Sequence, residues 1–199
     1  MCFDAPTSLF SWAVANSIAL YLWNRNLKYD RWNAAFIFTF TLVQLLEAGL
    51  WSTKQKSLNH LFTGLILLAL LAQPLVQSYM GYSQTKKRFL LILVWVYTIL
   101  FIWGIFQFFT QKFKSYPGKC GHLIWESENS HLLGPFVLLY LVGLFIPLFY
   151  MGTSGGVLIL IGAITFIYSW MRTKGKEFSS LWCFTAIAYA FAAIFLPQK

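Results

Sequence analysis

One acidic residue, Glu47, lies inside an apolar segment of this 199-residue chain. An acid at the centre of a membrane-spanning helix costs about 2.5–3.5 kcal/mol; Glu47 stands about five residues from its predicted helix end, where the cost is smaller. Gln44, Glu47 and Trp51 are spaced i, i+3 and i+7, so they share one face of a helix. We predict that this face points inward and binds a ligand, with Glu47 in a catalytic role.

His60 enters the next apolar segment at the same predicted depth as Glu47. Because the connection between the two segments is short, we expect them to pack as antiparallel neighbours. Glu47 and His60 would then form a hydrogen-bonded pair, supply two metal ligands or act together as a catalytic, proton-handling couple. The alternative is a polar clamp between two helices, which is worth about 0.6–2 kcal/mol in a membrane.

The one long connection between apolar segments contains further reactive side chains. Cys120-Gly121-His122 supplies a thiol and an imidazole, and Trp125 follows as a predicted ligand contact. A divalent metal such as Zn²⁺ would draw three or four ligands from Cys, His and Glu side chains. The sequence contains no HExxH, CxxC or HxxxH motif, so its spacing does not select one metal site. The candidate metal ligands are His122, Cys120, Glu47 and His60.

Cys2, near the N-terminus, completes the predicted ligand-binding residues. It would form a disulfide with Cys120 if this face were extracytoplasmic, and would remain a free thiol near the site if it were not. The alternative is a small apolar residue at the membrane surface.

The segments that must position these residues are long and apolar. Hydrophobic residues make up 58% of the chain and charged residues 11%, against about 45–50% and about 25% in soluble domains. A helix needs about 20 apolar residues to cross a bilayer, and its backbone must pair its polar groups internally. We therefore predict a single all-α membrane domain over residues 1–199. Its seven spans are predicted at residues 9–23, 32–51, 58–79, 89–109, 132–151, 157–171 and 179–196.

Seven crossings would bring the metal-ligating and proton-transferring groups to one side of the membrane. Lys and Arg divide eight to seven between the two sides, so the asymmetry is confined to these groups. The N-terminus is predicted outside, because the bases of the opposite side form two compact clusters close to helix ends. The side that carries the N-terminus would hold Cys2, Asp4, Glu47, His60, Cys120, His122, Glu126, Glu128, His131, Glu177 and Cys183.

The net charge of +9 is spread over seven segments without a basic stripe. This distribution favours contact with anionic lipid headgroups and argues against a nucleic-acid partner. The last predicted span, residues 179–196, contains no Lys. A retinal Schiff base in that span is therefore excluded.

Two short motifs resemble those of a known family. Met1-Cys2-Phe3-x-Ala5-x-x-Ser8 and Gln44-x-x-Glu47-x-x-x-Trp51 resemble a family of small polytopic membrane proteins of bacteria and giant viruses that begin Met-Cys-Phe-Ser-Ala. This chain has Asp4 where that pattern has Ser, and Ala48 where a Gly follows the Glu. The resemblance covers the first quarter of the chain. It implies that Cys2, Gln44, Glu47 and Trp51 form one recurring constellation, and it implies no particular activity.

Three functions are consistent with these patterns. The first is binding of a metal ion or small polar ligand at the one-sided Cys, His and Glu site, extending to an enzyme that acts on a lipid-like substrate. The second is a small transporter or proton or ion channel that uses Glu47, with Asn16, Ser17, Gln73 and Gln77 toward the far side. The third is a structural protein in which Glu47 and His60 only clamp helices.

Overall fold

In the computed structural model, which describes residues 4–119, 121–127, 133–174 and 177–196, the first half of the chain forms four long helices. They are α1 (Ala5–Arg25), α2 (Asp30–Ser52), α3 (Lys56–Thr85) and α4 (Arg88–Thr110), and each packs against the next. Helix α1 begins where Asp4 Oδ1 accepts a hydrogen bond from Thr7 N at 2.9 Å. It ends at Asn26, whose φ of 54° places it in the left-handed region typical of a helix C-terminus.

The connection after α4 forms a β-hairpin that the all-α prediction did not include. Strands β1 (Phe113–Pro117) and β2 (Leu123–Ser127) pair antiparallel, with Lys114 opposite Glu126. Phe113 is buried and Lys114 is exposed, as expected where successive side chains alternate between the faces of a strand. The hairpin therefore turns one face toward the helices and the other away from them.

The second half of the chain is more interrupted. Helix α5 (Leu133–Phe145) continues into a 3₁₀ turn (Ile146–Met151), and α6 (Thr153–Thr173), α7 (Phe178–Phe184) and α8 (Ala186–Phe195) follow. Pro147 lies in the 3₁₀ turn, because proline has no N–H with which to continue an α-helix. Helices α7 and α8 meet at Thr185, whose hydroxyl donates to Trp182 O at 2.6 Å.

Helices occupy all seven predicted spans, and the predicted all-α bundle is confirmed as the overall architecture. Within the described ranges, five helical segments are long and apolar enough to cross a membrane. Helix α1 is 21 residues long but is not one of the five, because polar residues such as Asn16 and Asn24 lower its hydropathy. The apolar helical segment Val137–Met151 is too short to be counted. The count of seven crossings and the outside N-terminus remain predictions. The five segments are Asp30–Ser52, Lys56–Thr85, Arg88–Thr110, Thr153–Thr173 and Phe178–Phe195.

Helix α2 is central in the bundle, because it contacts α1, α3, α7 and α8. It buries large apolar side chains around its circumference, among them Trp32, Ile37 and Phe40. Helices α4 and α6 instead expose apolar residues such as Ile99 and Leu160, which are 65% and 59% exposed. Apolar outer faces of this kind suit a lipid environment.

A buried ion pair joins three helices at one end of the bundle. Arg25 Nε and Nη2 each donate to a carboxylate oxygen of Asp30 at 2.7 Å, and Leu27 N donates to Asp30 Oδ2 at 2.9 Å. Arg25 Nη1 also donates to Ile194 O in α8 at 2.8 Å. Because the Asp30 side chain is fully buried, its charge is balanced almost entirely by Arg25.

We expect Asp30→Ala to lower the free energy of unfolding by about 3 kcal/mol, because the substitution leaves the Arg25 guanidinium without its counter-ion. Reversible unfolding of the purified protein in detergent measures the loss. Arg31→Ala is the control, since Arg31 is exposed, and its cost should stay within about 0.5 kcal/mol. Equal losses in the two variants would contradict the proposed importance of the pair.

Candidate ligand site

Glu47 and Gln44 lie together in the interior of the bundle. Their side chains are 2% and 1% exposed, and Gln44 Nε2 donates to Glu47 Oε2 at 3.0 Å. The hydroxyl of Ser180, in α7, lies close to the Glu47 carboxylate. Neither Glu47 Oε1 nor Gln44 Oε1 accepts a hydrogen bond from a described residue. We call Gln44, Glu47 and Ser180 the Glu47 junction.

Cys183 and Tyr140 extend this polar region toward α5 and α3. Cys183 follows Ser180 by three residues, is 1% exposed, and lies close enough to Glu47 and Tyr140 to interact electrostatically with both. Tyr140 OH donates a hydrogen bond to Gln73 Oε1 in α3. The polar groups therefore run from the Glu47 junction across the interior of the bundle.

A cavity of about 520 Å³ lies beside this polar region. Helices α3, α4, α5 and α7 supply most of its walls, and the hairpin closes one end. Glu47 is not a wall residue, but its neighbour Cys183 is. The apolar walls include Leu67, Leu68, Leu71, Leu100, Trp103, Phe108, Phe166 and Trp182. The polar wall residues are Gln107, Gln111, Trp125, Tyr140, Glu177, Ser179 and Cys183.

The hairpin is fastened to the start of α3 by side chains that satisfy its free backbone edge. Asn59 Nδ2 donates to Ser115 O and Asn59 Oδ1 accepts from Ser115 N, both at 2.9 Å. The hydroxyls of Thr63 and Ser115 lie 2.7 Å apart. His60 Nδ1 accepts from Phe113 N at 3.1 Å, and its ring stacks on the Phe113 ring. These contacts hold β1 against α3 beside the cavity, which Phe113 lines.

Glu177 fastens the other side of the hairpin. Its Oε2 accepts a hydrogen bond from His122 N at 3.1 Å, and the residue is 3% exposed. A Cβ at Gly118 would stand 2.1 Å from the Glu177 carboxyl carbon, so only glycine leaves room for this contact. Burial lowers the pKa of His122 below its usual 6.5, and the nearby Glu177 carboxylate opposes part of that shift.

The predicted site residues divide into two groups. Gln44 and Glu47 are in contact, as their spacing suggested. In the part of the chain that is described, the expected pair of Glu47 with His60 does not form. His60 Nδ1 accepts instead from the backbone N–H of Phe113, and Glu47 Oε2 accepts from Gln44 Nε2.

The remaining predicted residues lie apart from the Glu47 junction or outside the described ranges. Trp51 packs, half-buried, against the hydrophobic core, and Trp125 lines the cavity. His122 lies in the hairpin beside Glu177. Cys2 and Cys120 lie outside the described residues.

The predicted metal site finds no support in the geometry. No group of three or more His, Cys, Asp or Glu side chains within residues 4–119, 121–127, 133–174 and 177–196 is positioned to hold a metal ion. The predicted ligands Glu47, His60 and His122 have the separate neighbours described above, and each is held by a different element. His60, on α3, contacts strand β1, while His122 lies in the hairpin beside Glu177.

Tyr140 and Ser180 were not among the predicted site residues. Glu177, Ser180 and Cys183 follow one another at intervals of three along one helix turn and the next, a spacing that could have indicated a shared face. The hydroxyl of Tyr140 inside a predicted span was a second available signal, since a buried tyrosine hydroxyl requires a hydrogen-bond partner.

Comparison with models of protein families and with curated proteins finds no match to this chain. The function is therefore inferred from the geometry of the site, and the resemblance stated above remains a prediction.

We expect Gly118→Ala to release the hairpin from α7, because the added methyl group would occupy the position of the Glu177 carboxyl. Hydrogen–deuterium exchange at the His122 amide should quicken at least tenfold, corresponding to about 1.4 kcal/mol of lost protection. Gly156→Ala is the matched control, since a Cβ there meets no atom within 4 Å. Unchanged exchange at the His122 amide in Gly118→Ala would refute the role of Glu177.

Proposed function

We propose that this protein binds a lipid-like molecule, with an apolar body and a small polar group, in the cavity beneath the hairpin. The single observation that carries the proposal is the cavity of about 520 Å³ with mostly apolar walls. Ligand cavities are typically about 300–1,000 Å³, apolar, and supplied with a few polar groups that orient the ligand.

The polar end of the cavity is suited to a group that accepts hydrogen bonds. Trp125 Nε1 is buried, and no described residue accepts a hydrogen bond from it. Trp125 lines the cavity together with Gln107 and Gln111, which lie at the end of α4 nearest the hairpin. A hydroxyl, carboxylate or phosphate oxygen on the ligand would satisfy the indole N–H.

A route from the lipid phase supports the same proposal. Trp103 lines the cavity and is also 39% exposed on the outer side of α4. Helix α4 packs mainly against α3, and its neighbouring outer residues Ile99, Ile102 and Phe106 are exposed and apolar. A lipid-like molecule would enter between α4 and the second half of the chain without passing through water.

We expect Leu100→Trp to weaken binding of radiolabelled palmitate to the protein in nanodiscs about tenfold, or about 1.4 kcal/mol, because the larger ring fills the cavity. Leu100 lines the cavity. Ile99→Trp is the matched control, since Ile99 is its neighbour on α4 and is 65% exposed; it should bind as the unmodified protein does. Equal palmitate affinity in both variants, or no saturable binding, would sink the proposal.

Transport of a proton or small cation is a second candidate, and a buried line of polar side chains favours it. Trp32 Nε1 donates to Gln77 Oε1 at 2.9 Å, and Tyr189 OH donates to Asn33 Oδ1 at 3.0 Å. Gln73 and Gln77 stand one turn apart on α3, so they share a face. With the Glu47 junction and Tyr140, these groups extend from one end of α2 toward the other.

We expect Glu47→Gln to abolish proton flux in proteoliposomes if this second function operates, because the amide cannot release a proton. A pH-sensitive dye enclosed in the vesicles measures the flux at a fixed membrane potential. Glu126→Gln serves as the control, since Glu126 is exposed on the hairpin. Proton flux that survives in Glu47→Gln, or that is absent from the unmodified protein, eliminates proton transport by Glu47.

A further inference from the structure

The Glu47 junction contains more hydrogen-bond acceptors than donors. Glu47 Oε1 and Gln44 Oε1 both lack a hydrogen-bond donor among the described residues, and both side chains are at least nine-tenths buried. A buried carboxylate requires a cation, or several donors, to offset the loss of its hydration. Gln44 Nε2 supplies one hydrogen bond to Glu47 Oε2 and the Ser180 hydroxyl lies nearby, and neither group carries a charge.

Helix α1 brings two more oxygen atoms to this level of the bundle. Ser8 and Ser11 are 0% and 1% exposed, and neither hydroxyl has a partner among the described residues. Asn16 Nδ2 donates to Thr41 Oγ1 at 3.0 Å, which sets the register of α1 against α2. Because α1 and α2 are antiparallel, residues before Asn16 on α1 lie beside residues after Thr41 on α2. The helical rise per residue then places Ser11 and Ser8 within about 3 Å of Glu47, measured along the helix axis.

The other buried acid of α2, Asp30, has a basic side chain as its counter-ion. Asp30 is neutralised by the Arg25 guanidinium at 2.7 Å. In the described part of the chain, no Lys, Arg or His side chain forms an ion pair or hydrogen bond with Glu47. Among the described residues, then, no group balances the Glu47 carboxylate as an anion, and a bound cation would do so.

We propose that the Glu47 carboxylate, Gln44 Oε1 and the hydroxyls of Ser180, Ser8 and Ser11 bind a sodium ion. Carboxylate, amide and hydroxyl oxygens are hard donors of the kind that suit alkali and alkaline-earth ions, and the group contains no thiolate or imidazole of the kind that suits Zn²⁺. One carboxylate balances a single positive charge, whereas a divalent ion would leave one charge unbalanced in the interior. Five neutral or singly charged oxygens suit sodium, while the larger potassium ion requires more ligands.

This site is separate from the cavity and does not depend on the palmitate experiment. It also differs from the transport candidate, because binding is an equilibrium property that is measured without flux. Sodium binding without proton flux would support the sodium site and exclude proton transport as a function of this protein.

The test is equilibrium binding of ²²Na⁺ to the purified protein in detergent, with NaCl or choline chloride as competitor. We expect saturable binding that NaCl displaces and choline chloride does not. Glu47→Gln should weaken the affinity more than tenfold, and the double variant Ser8→Ala, Ser11→Ala about tenfold, or about 1.4 kcal/mol. Glu126→Gln, which removes an exposed acid of the hairpin, should bind as the unmodified protein does.

Absence of saturable ²²Na⁺ binding in the unmodified protein overturns the proposal, and so does equal affinity in Glu47→Gln. Unchanged affinity in the Ser8 and Ser11 double variant also overturns it, because α1 would then contribute no ligand. If Glu47→Gln does not fold, the proposal is tested by the affinity of the Ser8 and Ser11 double variant and by the thermal unfolding midpoint of the unmodified protein. That midpoint must rise with NaCl and stay constant with choline chloride at equal ionic strength.

Discussion

Helix α2 buries a carboxylate near each of its ends, and the groups that surround the two carboxylates differ in charge. Asp30 is met by the Arg25 guanidinium, which also reaches the backbone of α8. Glu47 is met by neutral groups, Gln44 and Ser180. The first arrangement is a complete ion pair at one end of the bundle. The second leaves a carboxylate for which the described residues supply no counter-ion, so a proton or a cation would balance its charge.

The two ends therefore serve different purposes. At the Arg25 end, hydrogen bonds from the Arg25 guanidinium join α1, α2 and α8. At the Glu47 end, the second half of the chain stands away from α3 and α4 enough to leave a cavity of about 520 Å³. The hairpin spans this gap, fixed to α3 through Asn59 and to α7 through Glu177. An apolar interior with a polar lid and an unbalanced acid nearby is the combination on which the proposed functions rest.

Several features of the site followed from sequence spacing, and others could not. Gln44 and Glu47 meet because three residues in a helix bring side chains to the same face, a local rule that needs no tertiary information. The predicted contact between Glu47 and His60 did not form, because each side chain has other hydrogen-bonding groups near it in the folded chain. The backbone of β1 requires acceptors along its edge, and His60 became one of them. The hairpin itself was not predicted, because short strands within a polar connection have only a weak periodic signal.

The sequence by itself determined that the chain is a bundle of apolar helices, because the length and composition of each segment decide whether its backbone can be buried in an apolar medium. It also determined that Glu47 would be an unusual residue, since a carboxylate in such a segment is costly wherever the helix packs. Only the tertiary structure decided that Asp30 has a full counter-ion while Glu47 has none among the described residues. It also decided that Ser180 and Cys183 lie near Glu47 and that Tyr140 lies near Cys183. Those contacts join residues far apart in the chain, and their selection depends on helix rotation and axial register, which no local pattern specifies.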